Sequence, residues 1–270
     1  MVKKLFKYEI RALARVLLPV WGVLLGIGLL ARVIFFFENE SVVYGIVSGS
    51  ARFALGVGIV ATAVLTFIIS IRRFYVNLYT AEGYLSFTLP VTPVQHIVVK
   101  LLTATLFTVG SAIASLAAFC AAHAGEVLLE MWKAALYLAK EAVEKIGAGH
   151  FTGYAVEIVL AALLSVTAFY LLVYVCIALG QMVRKNKILA AVGIYFAYYL
   201  FTQLLGTVLI IVVTLAADMG FFEALFNFLH DHPLTGAHLL LGGLILWYLI
   251  QSVVFFAITN AVTRRKLNLE

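Results

Sequence analysis

The sequence predicts an all-α integral membrane protein with six transmembrane helices and with both termini in the cytoplasm. Of its 270 residues, 64% are apolar and only 12% are charged, whereas soluble domains are about 45–50% apolar and about 25% charged. A soluble fold of this length has too little interior to bury that much apolar surface, so lipid must be part of the solvent. Because no segment is polar enough to form a separate soluble domain, residues 1–270 are expected to form a single transmembrane domain.

Six apolar stretches are long enough to cross a bilayer, which takes about 20 residues. They cover residues 16–37, 53–71, 101–122, 155–179, 188–215 and 238–262. The second stretch stops at Arg72 and Arg73, and the sixth stops at Arg264 and Arg265. Arg32 interrupts the first stretch, close enough to one end for its side chain to reach the membrane surface.

The basic residues determine the predicted orientation. In the six-span arrangement, 14 of the 19 lysines and arginines fall on one side of the membrane, in four clusters. Cytoplasmic loops carry such an excess of Lys and Arg. A five- or seven-span arrangement would place a basic cluster outside, so both termini are predicted to be cytoplasmic. The net charge of +6 is therefore explained by topology, and no nucleic-acid partner is expected.

The first 18 residues are predicted to form an amphipathic helix on the surface of the anionic cytoplasmic leaflet. Its basic face, which would anchor it to that surface, consists of Lys4, Lys7, Arg11 and Arg15. Its apolar face consists of Phe6, Ile10, Leu13 and Leu17. Pro19 is expected to mark the turn from this helix into the first span. The alternative is a simple basic flank that only fixes the topology.

The predicted cytoplasmic segment between spans two and three, residues 72–100, is too polar to span a membrane and too aromatic for a simple linker. Its aromatic residues include Tyr75, Tyr79, Tyr84 and Phe87. An exposed aromatic surface of this kind usually requires a partner or the membrane interface to cover it. Gly83 permits a turn, and Pro90 and Pro93 are expected to keep the chain extended before span three.

A second amphipathic helix is predicted over Glu126–Ile146, on the outer side between spans three and four. An apolar stripe runs along it through Val127, Met131, Ala135, Leu138, Ala142 and Ile146. Charged residues occupy its other faces, as in a helix at a surface. The helix is expected to lie on the membrane or to cap the spans, and Gly147 and Gly149 are expected to end it.

The common catalytic motifs are absent from the sequence. There is no GxxxxGK[ST] phosphate loop, no HExxH zinc motif and no GxSxG nucleophile elbow. The chain is therefore not expected to be an enzyme or to hydrolyse ATP itself. No charged residue lies near the middle of a span, where proton- and ion-coupled carriers commonly place one, and this argues against a proton-driven carrier.

Gln203, Gln251 and Asn260 are polar residues within the predicted spans, and they have two interpretations. They could line a path for a substrate. They could equally form hydrogen bonds between helices, which contribute roughly 0.6–2 kcal/mol each. The second interpretation is the simpler one for any single residue.

Two further patterns carry little weight. Gly22 and Gly26 form a GxxxG pattern, which permits a close approach between helices but is common in membrane spans. His230-Asp231-His232 could bind a metal ion, but a solvated loop is the simpler interpretation, so no metal site is predicted.

Residues 73–91, RFYVNLYTAEGYLSFTLPV, resemble a stretch of small ABC transporter permeases from Gram-positive gut bacteria. The opening residues 6–15 are similar to the N-termini of those proteins. These permeases resemble the type-2 exporter class, which has six spans per subunit, an N-terminal interfacial helix and a cytoplasmic coupling helix between spans two and three. The resemblance covers the whole chain in topology and is specific in sequence mainly over residues 73–91.

The resemblance implies a permease subunit of an ATP-driven exporter in a bacterial plasma membrane. The coupling helix, which would sit in a groove on a separate ATPase, would consist of Tyr79, Thr80, Ala81, Glu82, Gly83, Tyr84 and Leu85. Arg72 and Arg73 would anchor the base of span two. The implied partners are ABC ATPase subunits, which bind ATP and Mg²⁺, and a second permease subunit, identical or related. The apolar spans suit an amphipathic cargo such as a peptide, a drug or a lipid-like molecule.

The sequence departs from that class in one respect. Its main outer helix lies between spans three and four, whereas the class usually has an outer re-entrant or amphipathic segment between spans five and six. The corresponding loop, residues 218–236, is shorter, although residues 219–229 could form a re-entrant piece. Two other classes of function stay open: a non-transporting assembly, sensor or immunity protein, and an ATP-independent carrier.

Overall fold

The computed structural model describes residues 2–37, 41–80, 82–83, 88, 90–183 and 185–265. The helices of this part of the chain are α1 (Val2–Phe36), α2 (Val42–Tyr79), α3 (Pro93–Ala122), α4 (Glu126–Ile146), α5 (Ala148–Gly180), α6 (Lys187–Asp218), α7 (Glu223–Asp231) and α8 (Pro233–Arg265). No strand occurs among the described residues, so the predicted all-α class is confirmed. The chain divides into two compact units, Met1–Glu141 and Ala142–Glu270. The expectation of one transmembrane domain stays a prediction.

Six helices of the described part, α1, α2, α3, α5, α6 and α8, are long and apolar enough to cross a membrane. α2, α3, α5, α6 and α8 each contain one predicted span, and α1 contains the first span up to Phe36. The helices are therefore consistent with a multi-pass membrane protein. The helices are longer than the apolar stretches within them. α1 has 35 residues, which is about 52 Å at 1.5 Å per residue, against a hydrocarbon core of about 30 Å. The cytoplasmic location of both termini stays a prediction.

The N-terminal segment is not a separate helix. α1 runs without interruption from Val2 to Phe36 and carries Pro19 in its interior, so the predicted turn at Pro19 is wrong. The proline removes one backbone hydrogen bond from the helix. Leu17 before it and Leu24 after it are both buried against neighbouring helices, and this packing holds the two halves of α1 in one helix.

The apolar face of the N-terminal segment packs partly against protein. Leu13 and Leu17 are 2% and 0% exposed and form a cluster with Phe107 of α3. The expectation that these two residues lie on the membrane surface is therefore wrong. The residues of the basic face, Lys4, Lys7, Arg11 and Arg15, are exposed along α1. Their role as a membrane anchor stays a prediction.

α2 extends beyond the apolar stretch of the second span. Arg72 and Arg73 do not end the helix, which continues to Tyr79 and is followed by Thr80 in an extended conformation. Phe74 and Leu78 in this extra length are fully buried. They lie four residues apart on one helix face, and their burial carries the helix past the two charges.

α3 begins well before the predicted third span. The hydroxyl of Thr92 accepts a hydrogen bond from the backbone N–H of Gln95, and the side-chain oxygen of Gln95 accepts one from the backbone N–H of Thr92. This reciprocal cap starts the helix, and Pro93 occupies a first-turn position that needs no N–H donor. Pro93 therefore begins α3 rather than extending the preceding segment.

α4 has the predicted bounds, Glu126–Ile146. Gly147, with φ at 83°, separates it from α5 in a left-handed conformation that glycine favours. Gly149 lies inside α5 and does not contribute to this break. The exposed members of the apolar stripe include Val127, Met131 and Leu138. Whether α4 lies on a membrane or caps the spans stays a prediction.

In the first unit, α1 packs against both α2 and α3. The backbones of α1 and α3 approach closely at Gly28, where an added Cβ atom would lie 2.5 Å from the backbone oxygen of Ala118. Gly22 and Gly26 of the GxxxG pattern have no such neighbour within 4 Å. The close helix contact inside this chain is therefore made by Gly28 rather than by the GxxxG pattern.

In the second unit, α5 packs against α8 and α6, and the short helix α7 packs against α8. Tyr170, Leu171 and Tyr174 of α5 are buried in this unit. α6 has no buried residue, and many of its apolar side chains are exposed. α7 includes part of the piece 219–229, whose re-entrant character stays a prediction.

Gly28→Ala should lower the free energy of unfolding by about 1–3 kcal/mol, because the opposing group is backbone and cannot rotate aside. Gly26→Ala is the matched control and should have little effect, since nothing lies within 4 Å of the added methyl group. Thermal unfolding of both variants in one detergent measures the difference. Equal midpoints for the two variants would contradict the assigned contact.

Candidate functional site

A buried carboxylate, Glu9 of α1, lies between cationic groups of α2 and α3. Glu9 is only 7% exposed. Its Oε2 accepts a hydrogen bond from Nε of Arg73 at 3.0 Å and lies 2.9 Å from Nη2 of Arg73 in an ion pair. Its Oε1 accepts a hydrogen bond from Nζ of Lys100 at 2.8 Å. Three helices of the first unit therefore meet at one carboxylate.

Lys100 is the second buried charge, and its ammonium group has three acceptors for its three protons. It donates to Glu9, to the backbone carbonyl of Arg73 at 3.4 Å and to Oδ1 of Asn77 at 3.1 Å. Nδ2 of Asn77 in turn donates to Oε2 of Glu82 at 2.9 Å. A continuous set of contacts thus runs from Glu9 to Glu82, and these five residues are referred to below as the polar network.

The cationic partners keep Glu9 ionised although little water reaches it. Burial raises the pKa of the Glu9 carboxyl, but Lys100 and Arg73 outweigh burial and hold this pKa below its ordinary value. A buried ion pair adds little net stability compared with apolar packing. Removal of one partner nevertheless costs about 3–5 kcal/mol, because the other charge is left buried alone. The polar network therefore specifies how these parts of α1, α2 and α3 are arranged.

Helix geometry brings the members of the network together. Arg73 and Asn77 are four residues apart and share one face of α2, and Lys100 lies near the start of α3. Sequence reasoning used Glu9 and Lys100 only as charges that report topology, and so it missed their contact. A signal was present, since Glu9 is the single carboxylate in the basic segment before the first span.

The structure describes four of the seven predicted coupling residues. Tyr79 ends α2 and is 4% exposed, so its side chain belongs to the core rather than to an exposed surface. Thr80 is half-buried, Glu82 is exposed and Gly83 is buried. The other three, Ala81, Tyr84 and Leu85, lie outside the described residues. The coupling role of this segment stays a prediction.

The three polar residues predicted for a substrate path have different surroundings. Nε2 of Gln251 donates to the hydroxyl of Tyr198 at 3.1 Å, which joins α8 to α6. Gln251 also lines an open and mostly apolar cavity of about 410 Å³ in the second unit. Gln203 is exposed on α6, and Asn260 is partly buried. Neither Gln203 nor Asn260 lines this cavity.

A second polar cluster lies in the second unit, near the N-terminal ends of α5 and α8. Nδ1 of His238 is 2.8 and 2.9 Å from the two carboxylate oxygens of Glu157. Nε2 of His238 is 3.0 Å from Nδ1 of His150. Tyr154 stacks on the His238 ring at 4.1 Å and donates to the backbone carbonyl of Leu234 at 2.7 Å. Glu157, His238 and His150 are referred to below as the histidine cluster.

The histidine cluster follows from residue spacing on α5. His150, Tyr154 and Glu157 are separated by four and three residues, so they share one helix face. Gly153 lies beside them, and a Cβ atom added there would be 3.0 Å from Cε1 of His238. The glycine therefore leaves room for the imidazole ring. Sequence reasoning did not connect these residues, because His238 is far from the others along the chain.

The histidine cluster is a chain of hydrogen-bonding side chains. His238 lies at its centre and contacts Glu157 through Nδ1 and His150 through Nε2. Which of the two facing ring nitrogens donates depends on the tautomers of His150 and His238. The cluster therefore joins α5 to α8 through polar side chains.

Metal binding finds no support in the part of the chain that the structure describes. No group of three His, Cys, Asp or Glu side chains in that part is arranged to hold a metal ion. His230, Asp231 and His232 belong to the described part, so they form no such group either. The same holds for Glu157, His238 and His150 of the histidine cluster.

No known protein family, curated protein or solved structure matches the chain. The function is therefore inferred from the residues and contacts of this chain and from the resemblance of residues 73–91 to ABC transporter permeases.

Glu9→Gln should lower the free energy of unfolding by about 3–5 kcal/mol, because it leaves Lys100 buried without its main counter-charge. Combining Glu9→Gln with Lys100→Met should recover part of this loss, since the unpaired ammonium is then removed. Thermal unfolding in one detergent compares these variants with Glu130→Gln, which removes an exposed carboxylate from α4. If Glu9→Gln unfolds at the same temperature as this control, the network has no structural role.

Proposed function

We propose that the chain is the membrane-spanning permease subunit of an ATP-driven exporter. Three observations support the proposal: six long apolar helices, the resemblance of residues 73–91 to ABC permeases, and the polar network. The chain would not be an enzyme, and ATP and Mg²⁺ would bind to separate ATPase subunits. A second permease subunit, identical or related, would complete the complex in a bacterial plasma membrane.

The polar network carries the proposal, because it connects the predicted coupling segment to three helices. Glu82 in that segment contacts Asn77 of α2, which contacts Lys100 of α3, which contacts Glu9 of α1. A displacement of the segment by a partner would therefore reach the ends of three predicted spans. Buried charges resist separation, since an unpaired one is costly. The three ends would consequently move as a group rather than one at a time.

The contact surface for the ATPase is narrower in this proposal than the sequence predicts. Tyr79 is buried and would support the segment from inside. Glu82 is exposed and would make the contact, together with Tyr84 and Leu85 as predicted from the sequence. Lys4, Lys7, Arg11 and Arg15 are exposed on α1 and would lie against the anionic leaflet.

The cargo would be amphipathic, as a peptide, drug or lipid-like molecule is. The open cavity beside Gln251 has mostly apolar walls with one amide, a lining that suits such a molecule. Gln251 is the predicted path residue that this observation favours, whereas Gln203 and Asn260 do not line this cavity.

A pull-down of the tagged chain from its native host in mild detergent tests the proposal. We expect a Walker-motif ATPase to copurify in near-stoichiometric amount. Glu82→Ala and Tyr84→Ala should each reduce its recovery about tenfold, while Glu130→Ala, an exposed carboxylate on α4, should not. Melting temperatures of the variants separate lost binding from lost folding. A chain that copurifies with no ATPase would rule out the exporter.

A second candidate is an ATP-independent carrier, and the observation that favours it is the histidine cluster, a chain of polar side chains that joins α5 to α8. A proteoliposome assay distinguishes the candidates, because this carrier would move its substrate down a gradient without ATP and His238→Gln would stop it. A non-transporting assembly, sensor or immunity protein would show neither ATP-driven nor gradient-driven transport.

A further inference from the structure

A cavity of about 260 Å³ lies in the first unit beside α1 and α2. The apolar part of its wall consists of Ala12, Val16, Ile69 and Val76. The polar part includes the side chain of Arg72 and members of the polar network. An occupant of this cavity would thus meet an apolar side and a cationic side at once.

Arg72 is the uncompensated charge of this cavity. Its guanidinium forms no hydrogen bond or ion pair with any residue that the structure describes, whereas Arg73 and Lys100 are both bonded to Glu9. Within the polar network, the two carboxylates of Glu9 and Glu82 are balanced by the two cations of Arg73 and Lys100. One positive charge, that of Arg72, is therefore left over at the cavity.

The cavity lies at the boundary between apolar and polar sequence. Val16 begins the first apolar stretch, 16–37, and Ile69 belongs to the second, 53–71. Arg72 follows the second stretch directly. At such a boundary, basic side chains reach the level of the lipid headgroups while apolar side chains face acyl chains. The two sides of the cavity therefore correspond to the two ends of a lipid.

We infer that this cavity binds the phosphodiester headgroup of an anionic glycerophospholipid. Arg72 holds the phosphate through charge-assisted hydrogen bonds, for which the planar guanidinium is well shaped. The glycerol and the first acyl carbons cover Ala12, Val16 and Ile69. The leftover positive charge favours a lipid of net negative charge over a zwitterionic one.

Glu82 limits which anionic headgroup fits. Its Oε2 accepts from Asn77, while its Oε1 has no hydrogen-bond partner among the described residues. This oxygen can accept from a headgroup hydroxyl, as phosphatidylglycerol provides. The same carboxylate repels a doubly charged phosphate monoester. The inference does not depend on the exporter proposal, since it uses only the lining of the cavity and its charges.

The test uses the full chain, purified in mild detergent and washed free of lipid. It is titrated with short-chain phosphatidylglycerol, short-chain phosphatidylcholine and inorganic phosphate, and binding is measured by native mass spectrometry and by melting temperature. Phosphatidylglycerol should bind at one saturable site. Phosphatidylcholine should bind at least about fivefold more weakly, which is the effect of one charge near an arginine. Equal binding of the two lipids would overturn the inference, as would displacement of the lipid by an equal concentration of inorganic phosphate.

Two variants locate the site. Arg72→Gln should weaken phosphatidylglycerol binding about tenfold, the usual effect of losing a charge-assisted hydrogen bond. Ala12→Leu fills the apolar side of the cavity without changing its charge and should also weaken lipid binding. If Arg72→Gln does not fold, Ala12→Leu alone tests whether the lipid binds in this cavity. The control, Arg52→Gln, removes an exposed arginine of α2 outside the cavity and should leave phosphatidylglycerol binding unchanged. Unchanged affinity in both Arg72→Gln and Ala12→Leu would overturn the inference.

Discussion

The buried carboxylate of Glu9 constrains the whole first unit. A charge with so little access to water must be paired, and its partners lie on two other helices. α2 must therefore stay helical beyond its apolar stretch to present Arg73, and α3 must begin early enough to present Lys100. α1 must in turn continue through Pro19 to carry Glu9 to the same place. The need to pair the Glu9 carboxylate is thus consistent with the late end of α2, the early start of α3 and the continuity of α1 through Pro19. Hydropathy alone predicts none of these three features.

This arrangement separates the middles of the helices from their ends. In the middle of the first unit, polar contacts are neutral: Trp21 donates to Ser111, whose hydroxyl oxygen lies 2.6 Å from that of Thr66. Such groups are satisfied without any buried charge. Charged and titratable side chains are instead found towards helix ends, as the polar network in the first unit and the histidine cluster in the second.

The predictable part of the structure is the part that local sequence determines. The six apolar helices follow from stretches of apolar residues, so their number and order could be predicted from the sequence. α4 follows from a periodic pattern, so its bounds could be predicted as well. The close contact at Gly28 was not, because the Gly22–Gly26 pattern is equally apolar and only the position of Ala118 distinguishes the two. The pairing of Glu9 with Lys100 was equally out of reach, since ninety residues separate two charges that each also report topology.

The burial of Tyr79 changes how the segment after α2 can work. A tyrosine in the core cannot be part of an exposed docking surface, but it fixes the point where α2 ends and the segment begins. Glu82 lies just beyond this fixed point and is held by Asn77. A partner that binds at Glu82 would therefore act next to the buried end of α2, and Asn77 would receive its displacement directly. Because Asn77 also contacts Lys100, that displacement acts first on the buried charges, where misplacement costs the most.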